Sequence, residues 1–432
     1  MQALMAFENA PPFAAPLRFF LTAPLFAVLA GLLVAFEGAD IFASRWTPGA
    51  LAVTHLLTVG FMMQAMLGAL IQILPVVAGA NLENPLRVAK IVHPGLSLGA
   101  LLLAAGLYLG NPVLLTAAAL LLGLTVAFFL AATARALIGV PSTSPTIRGL
   151  KLALLGLACV VSIGIVMALA LAYGWSIPLP ALADLHAGWG LGAWAGVLLA
   201  AMAYVVVPMF QLTPGYPARP SWWFPVAMLA MLVLWSVALV VDLPWLVRLS
   251  QLVAAAAGIA FAGLTLRLQG GRRRARADAT YRYWQLGLSS SIFALFLLST
   301  VALWPAASEL DGWTLLFGIS LVAGGFVSFI VGMFYKIVPF LAWLHLQNCG
   351  QAKVPAPAMN KILPDVDAHR QWLAYAGSLG LLLAAALFPR WLAAPAGLAF
   401  AAANGWLGWN LWSAFRRYGR YRAEILQKLA AP

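Results

Sequence analysis

Three apolar runs of this chain end in the same way. They read ALIQILPVVAG around Pro75, AYVVVPMFQLTP around Pro208 and FYKIVPFLAWL around Pro339. They are the second, sixth and tenth apolar stretches in order, so the proline motif returns every fourth stretch. A period of that kind predicts a bundle built from four-helix units, with the proline-bearing helices related to one another. Each proline removes a backbone donor and frees a carbonyl, which a neighbouring helix must satisfy if the segment lies in lipid.

The apolar content makes lipid the expected solvent. Hydrophobic residues are 63% of 432 positions and charged residues 9%, with a mean hydropathy of +0.94. A soluble domain has no interior large enough for that much apolar surface. Runs of about 20 apolar residues, the length that crosses a bilayer core of about 30 Å as a helix, recur along the chain. They fall at 17–36, 49–79, 88–109, 112–137, 149–173, 182–211, 221–241, 245–267, 282–304, 312–340, 371–389 and 392–415. The expected fold is therefore an all-α integral membrane protein of 12 transmembrane helices. These form three pseudo-repeated four-helix units over residues 17–137, 149–267 and 282–415, with helices 2, 6 and 10 central and a basic tail at 416–432. The first run is too long and too poorly flanked for a cleaved signal peptide.

The formal net charge of +13 does not indicate nucleic acid, because its distribution has a different logic. Arg87, Lys90, Arg135, Arg148, Lys151, Arg219, Arg267, Arg272, Arg273, Arg274, Arg276 and Arg282 follow even-numbered spans, as do Lys353, Lys361, Arg370 and the basic tail. Glu37, Asp40, Asp184, Asp242, Glu309 and Asp311 occupy the opposite loops, with only Arg45, Arg248 and Arg390 near them. This positive-inside pattern predicts an inner (plasma) membrane protein of the bacterial type with both termini cytoplasmic and its basic loops against anionic lipid. The tail SAFRRYGRYRAEILQKL alternates basic and apolar residues and is expected to lie on the inner membrane surface as an amphipathic helix.

Two of the five histidines carry the candidate chemistry. His55 lies near the start of the second span and His186 near the start of the sixth, so both rings are expected roughly 6–9 Å below the same helix ends at 1.5 Å per residue. Neutral imidazole binds haem iron, copper or zinc, and polar groups inside a span usually face the bundle interior. His186, Gly190, Ala193, Val197, Ala200, Tyr204 and Pro208 recur at helical spacing and predict one small-residue groove. Gly325, Ser328, Gly332, Tyr335 and Pro339 predict a similar line in the tenth span, and either line also serves close helix packing. His93 is expected at a helix start, His345 at the opposite membrane face from His55, and His369 in a solvated loop. Met62, Met63 and Met66 read as packing residues. Cys159 and Cys349 form no CxxC or CxxCH motif. No acid or base sits at the centre of a span, and no P-loop, HExxH helix or Ser/His/Asp set is present.

Twelve spans in three arcs, with histidines in the second and sixth, resemble subunit I of the haem-copper oxidases. The segment HLLTVGFMMQAMLGALIQILP resembles the early histidine helix of the divergent NnrS-like membrane proteins, haem- and copper-associated relatives linked to nitric oxide stress. The resemblance implies a haem ligand at His55 and a copper ligand at His186. It departs from the oxidases after the sixth span, where their paired histidines are missing, and in WTLLFGISLVAGG of the tenth, which has no histidine. Oxygen reduction is therefore not expected. The implied function is a membrane protein binding haem b, copper or both at His55 and His186, and handling nitric oxide or respiratory metals. Its partners would be lipids and a small gaseous ligand or a respiratory redox protein. Two readings stand beside it: a permease for a small neutral or hydrophobic solute, and a metal-free assembly scaffold.

Overall fold

The computed structural model describes residues 7–273, 277–310, 312–351 and 353–430. Arg274, Arg276 and Asp311, which entered the charge argument, lie outside the described residues. Among the described residues every regular element is helical. Twelve long helices follow one another: α1 Ala14–Phe42, α2 Pro48–Ala78, α3 Pro85–Leu109, α4 Pro112–Leu137, α5 Pro145–Tyr173 and α6 Leu179–Gln211. Then come α7 Ala218–Val240, α8 Pro244–Gly270, α9 Ala279–Leu303, α10 Trp313–Cys349, α11 Asp365–Ala385 and α12 Pro389–Ala430.

Local sequence sets many of these boundaries. Thr47, Asn84, Asn111 and Ser144 each cap a helix through a side-chain oxygen that accepts a backbone N–H, and each is followed by a proline in the first turn. Asp278 caps α9 in the same way through the N–H of Tyr281. Gly79, Gly110 and Gly174 close α2, α3 and α5 in the left-handed region, at φ 64°, 59° and 68°. His93 proves to lie inside α3 rather than at its start, because Asn84 and Pro85 begin that helix two turns earlier.

Among the described residues ten helices, α1 to α10, are long and apolar enough to cross a membrane. The expected eleventh and twelfth spans are present as α11 and α12 but are not among these ten. α11 opens with Asp365, Asp367, His369 and Arg370, and α12 ends in a basic segment. That segment is not a separate surface helix as its alternation predicted. It continues α12 without a break over 42 residues. Ile425 is buried, Arg417 Nη1 donates to the Ile362 carbonyl at 3.1 Å, and Tyr418 packs edge-on against Phe13 at 5.0 Å. In the connection between α10 and α11, Ile362 and Leu363 are buried.

Burial identifies the inner helices. Of the most apolar stretch of each helix, 83% of residues are buried in α2, 67% in α10 and 56% in α6. α1 follows at 50%, and the other six candidate spans lie between 22% and 39%. The three most buried helices are the three that carry the proline motif. Each also contains a π-helical segment: Leu56–Met63 in α2, Gly188–Gly196 in α6 and Ile319–Val327 in α10. The segments begin nineteen residues before Pro75, twenty before Pro208 and twenty before Pro339.

α12 is held to α1 by mutual close approach. A Cβ at Gly31 would stand 2.6 Å from the Ala401 nitrogen, and one at Gly397 would stand 2.5 Å from the Ala35 nitrogen. Backbone cannot yield as a flexible side chain would. Gly31→Ala and Gly397→Ala should therefore each destabilise the detergent-solubilised protein by about 1–3 kcal/mol, seen as a lower thermal midpoint. Gly263→Ala, where a Cβ meets nothing within 4 Å, should leave the midpoint unchanged or raise it.

Candidate functional site: paired imidazoles in an apolar cavity

The two singled-out histidines come together. Their ring centres are 6.4 Å apart and their planes differ by 26°. Each sits where its helix leaves α geometry: His55 immediately precedes the π-segment of α2, and His186 comes two residues before that of α6. Segments of this kind concentrate at functional sites because the extra residue per turn re-aims side chains.

Backbone orients one of the two rings. His55 Nδ1 lies 2.8 Å from the Leu51 carbonyl. A carbonyl only accepts, so Nδ1 carries the proton and Nε2 keeps its lone pair. His186 Nδ1 is buried without a hydrogen-bond partner. Neither Nε2 is buried or hydrogen-bonded, and both residues line one cavity. Room for the His186 ring comes from α5, where a Cβ at Gly164 would stand 3.0 Å from its Cε1.

The cavity has a volume of about 1140 Å³ and an almost wholly apolar lining. All three π-segments contribute, for example through Met62, Trp194 and Val322. Phe317 and Gly318 line it at the start of the third segment, where the other two helices carry histidine. Arg45 is the only cationic side chain in the lining and Asp184 the only acidic one, among the described residues, apart from the imidazoles. Among the described residues no group of three or more His, Cys, Asp or Glu side chains converges anywhere. The ligand set on offer is thus two imidazoles. That suits axial ligation of a haem iron or linear coordination of cuprous copper, and it does not suit zinc, which takes four ligands.

The remaining histidines have structural partners. His93 Nε2 is 2.8 Å from Thr22 Oγ1, whose own proton goes to the Arg18 carbonyl. His345 Nε2 accepts the Phe13 N–H at 3.1 Å, which places it at the start of α1 and away from the cavity. His369 is 3.2 Å from Arg282 and stacks on Trp372. Cys159 and Cys349 are both free thiols.

Two expected grooves resolve differently. His186 and Gly190 line the cavity, but Ala193, Val197, Ala200, Tyr204 and Pro208 do not. Ala193 packs instead on α5, where a Cβ at Gly156 would stand 2.7 Å from its carbonyl carbon. Gly190 and Ala193 both lie within the π-segment, whose widened turns break the helical spacing of this line. In α10, Gly325 and Gly332 approach Ser291 and Tyr283 of α9, so that line is a packing seam. Sequence periodicity missed the π-segments and the Arg45–Asp184 contact. The one signal for the former was the near-equal spacing from histidine to proline in α2 and α6.

No protein-family model matches this chain, and no curated protein matches it.

The tautomers are directly measurable. In protein carrying ¹⁵N-histidine, the His55 signals should report a protonated Nδ1 and a bare Nε2. His93, which must donate to Thr22, should show a protonated Nε2. A protonated Nε2 on His55 would contradict the orientation described above.

Proposed function

We propose that this chain is a haem- or copper-binding membrane protein of the haem-copper oxidase-like superfamily, closest to NnrS-like proteins, and that His55 and His186 hold one metal-containing cofactor between them. The observation that carries the proposal is the paired rings. Their centres lie 6.4 Å apart and both line one cavity, so one cofactor could reach both. The Leu51 carbonyl supports the same reading, because ligating histidines usually donate their other N–H to such a group.

The cavity favours a large planar group over a bare ion. Its volume of about 1140 Å³ exceeds the ~300–1,000 Å³ typical of small-molecule sites, which is consistent with haem b. Haem iron with both axial positions taken by imidazole serves electron transfer or sensing. Copper held by two imidazoles would keep open positions for a small gaseous ligand such as nitric oxide. In either case the Leu51 carbonyl would orient the His55 nitrogen, and the apolar lining would surround the group. The fold that goes with this function has twelve spans in three related units, both termini cytoplasmic and residence in a bacterial-type inner membrane. The shared position of the three π-segments and the close packing of α12 on α1 support it.

The second reading is a permease for a small hydrophobic solute, and the size and apolar character of the same cavity favour it. Absorption spectra and metal analysis of the purified protein separate the two. The native chain should show a Soret band or stoichiometric copper, and His55→Ala and His186→Ala should each lower retention at least tenfold while the protein still inserts. Full retention in both variants, or a colourless, metal-free native protein, would favour the permease.

A further inference from the structure

The cavity that contains the imidazoles has one charged pair in its lining, and that pair bridges two distant parts of the chain. Arg45 Nη1 donates to Asp184 Oδ1 at 2.5 Å, across 139 residues. Arg45 follows α1 in the short connection to α2, and Asp184 lies on α6 two residues before His186. Their side chains are 41% and 43% exposed, whereas most of the lining is apolar and withdrawn. The guanidinium also stacks over the Trp46 ring at 4.7 Å, and Trp46 lines the cavity too. The two charges thus stand at an exposed part of the cavity lining.

We propose that the Arg45–Asp184 pair, with Trp46, closes the mouth of this cavity, and that small solutes reach the imidazoles when the pair opens. The inference does not depend on what the imidazoles hold. Its physical basis is the weakness of such a contact. A half-exposed ion pair contributes about 0–1 kcal/mol, so it opens readily, is screened by salt and is easily reset. A buried pair would hold the cavity permanently shut, and an apolar lid would not respond to ionic strength. The pair joins the α1–α2 connection to α6, so breaking it frees the connection without disturbing the helices that carry the histidines.

The test uses full-length protein in detergent, with Cys159 and Cys349 replaced by serine and a reporter thiol introduced by Gly318→Cys. Gly318 lines the cavity, and a Cβ there meets nothing within 4 Å. The probe is a small cationic methanethiosulfonate, which cannot cross detergent or lipid. Labelling should be slow in this background and about fivefold faster in Arg45→Ala and in Asp184→Asn, the factor that ~1 kcal/mol gives. The double exchange Arg45→Asp with Asp184→Arg should return it to the slow rate. High salt should accelerate labelling in the background and leave Arg45→Ala unchanged. Equal rates in all variants, or a double exchange as fast as the single ones, would overturn the proposal. The charge exchange separates loss of the ion pair from loss of side-chain bulk.

Discussion

A helix in lipid has to satisfy its backbone from within, and departures from α geometry survive only where protein covers them. Three helices of this chain depart nineteen or twenty residues before a proline, and they are the three most buried of the ten candidate spans. Their surroundings show how the departures are tolerated. Tyr375 Oη donates to the Ala323 carbonyl at 2.6 Å, with Ser328 Oγ adding a longer bond at 3.4 Å. Trp189 donates to Ser236 at 3.1 Å. A glycine in each segment is pressed onto a neighbouring helix: Gly60 onto Phe26, Gly188 onto Trp235 and Gly324 onto Ser290. The widened turns are therefore held by polar partners and close packing.

The candidate site follows from that constraint. A turn closed by i→i+5 bonds holds an extra residue, which rotates everything downstream by about 100° relative to a continuous α-helix. In α6 this turns His186 and Gly190 toward the cavity while Ala193 packs on α5. The two imidazoles thus share a cavity whose deeper walls come from side chains on different helical faces. The cavity carries almost no charge, so any cationic metal within it must rely on its own ligands for compensation. Two neutral nitrogens with no converging carboxylate favour a low net charge there, such as a haem whose ring supplies negative charge or monovalent copper.

Much of this was legible in the sequence because it rested on strong, repeated signals. Long apolar runs predicted the helices closely, and the proline motif singled out α2, α6 and α10. The matched depth of His55 and His186 predicted their pairing. What failed was phase. The groove drawn from His186 to Pro208 assumed 3.6 residues per turn throughout, and GWGLGAWAG does not keep that period. The basic tail was read as a surface helix because its amphipathic pattern resembles one. In the structure the apolar residues Tyr418 and Ile425 face the protein instead. Arg45 and Asp184 were counted only as loop charges, since no local pattern joins residues so far apart in sequence.

The central claim is that two imidazoles from separate helices hold a single metal. X-ray absorption at the edge of the metal in the purified protein tests it most directly. The account predicts two imidazole scatterers in the native protein, with nitrogen at about 2.0 Å, and a metal signal largely lost in His55→Ala and in His186→Ala. A metal whose first shell contains no imidazole, or one unchanged by both substitutions, would contradict it.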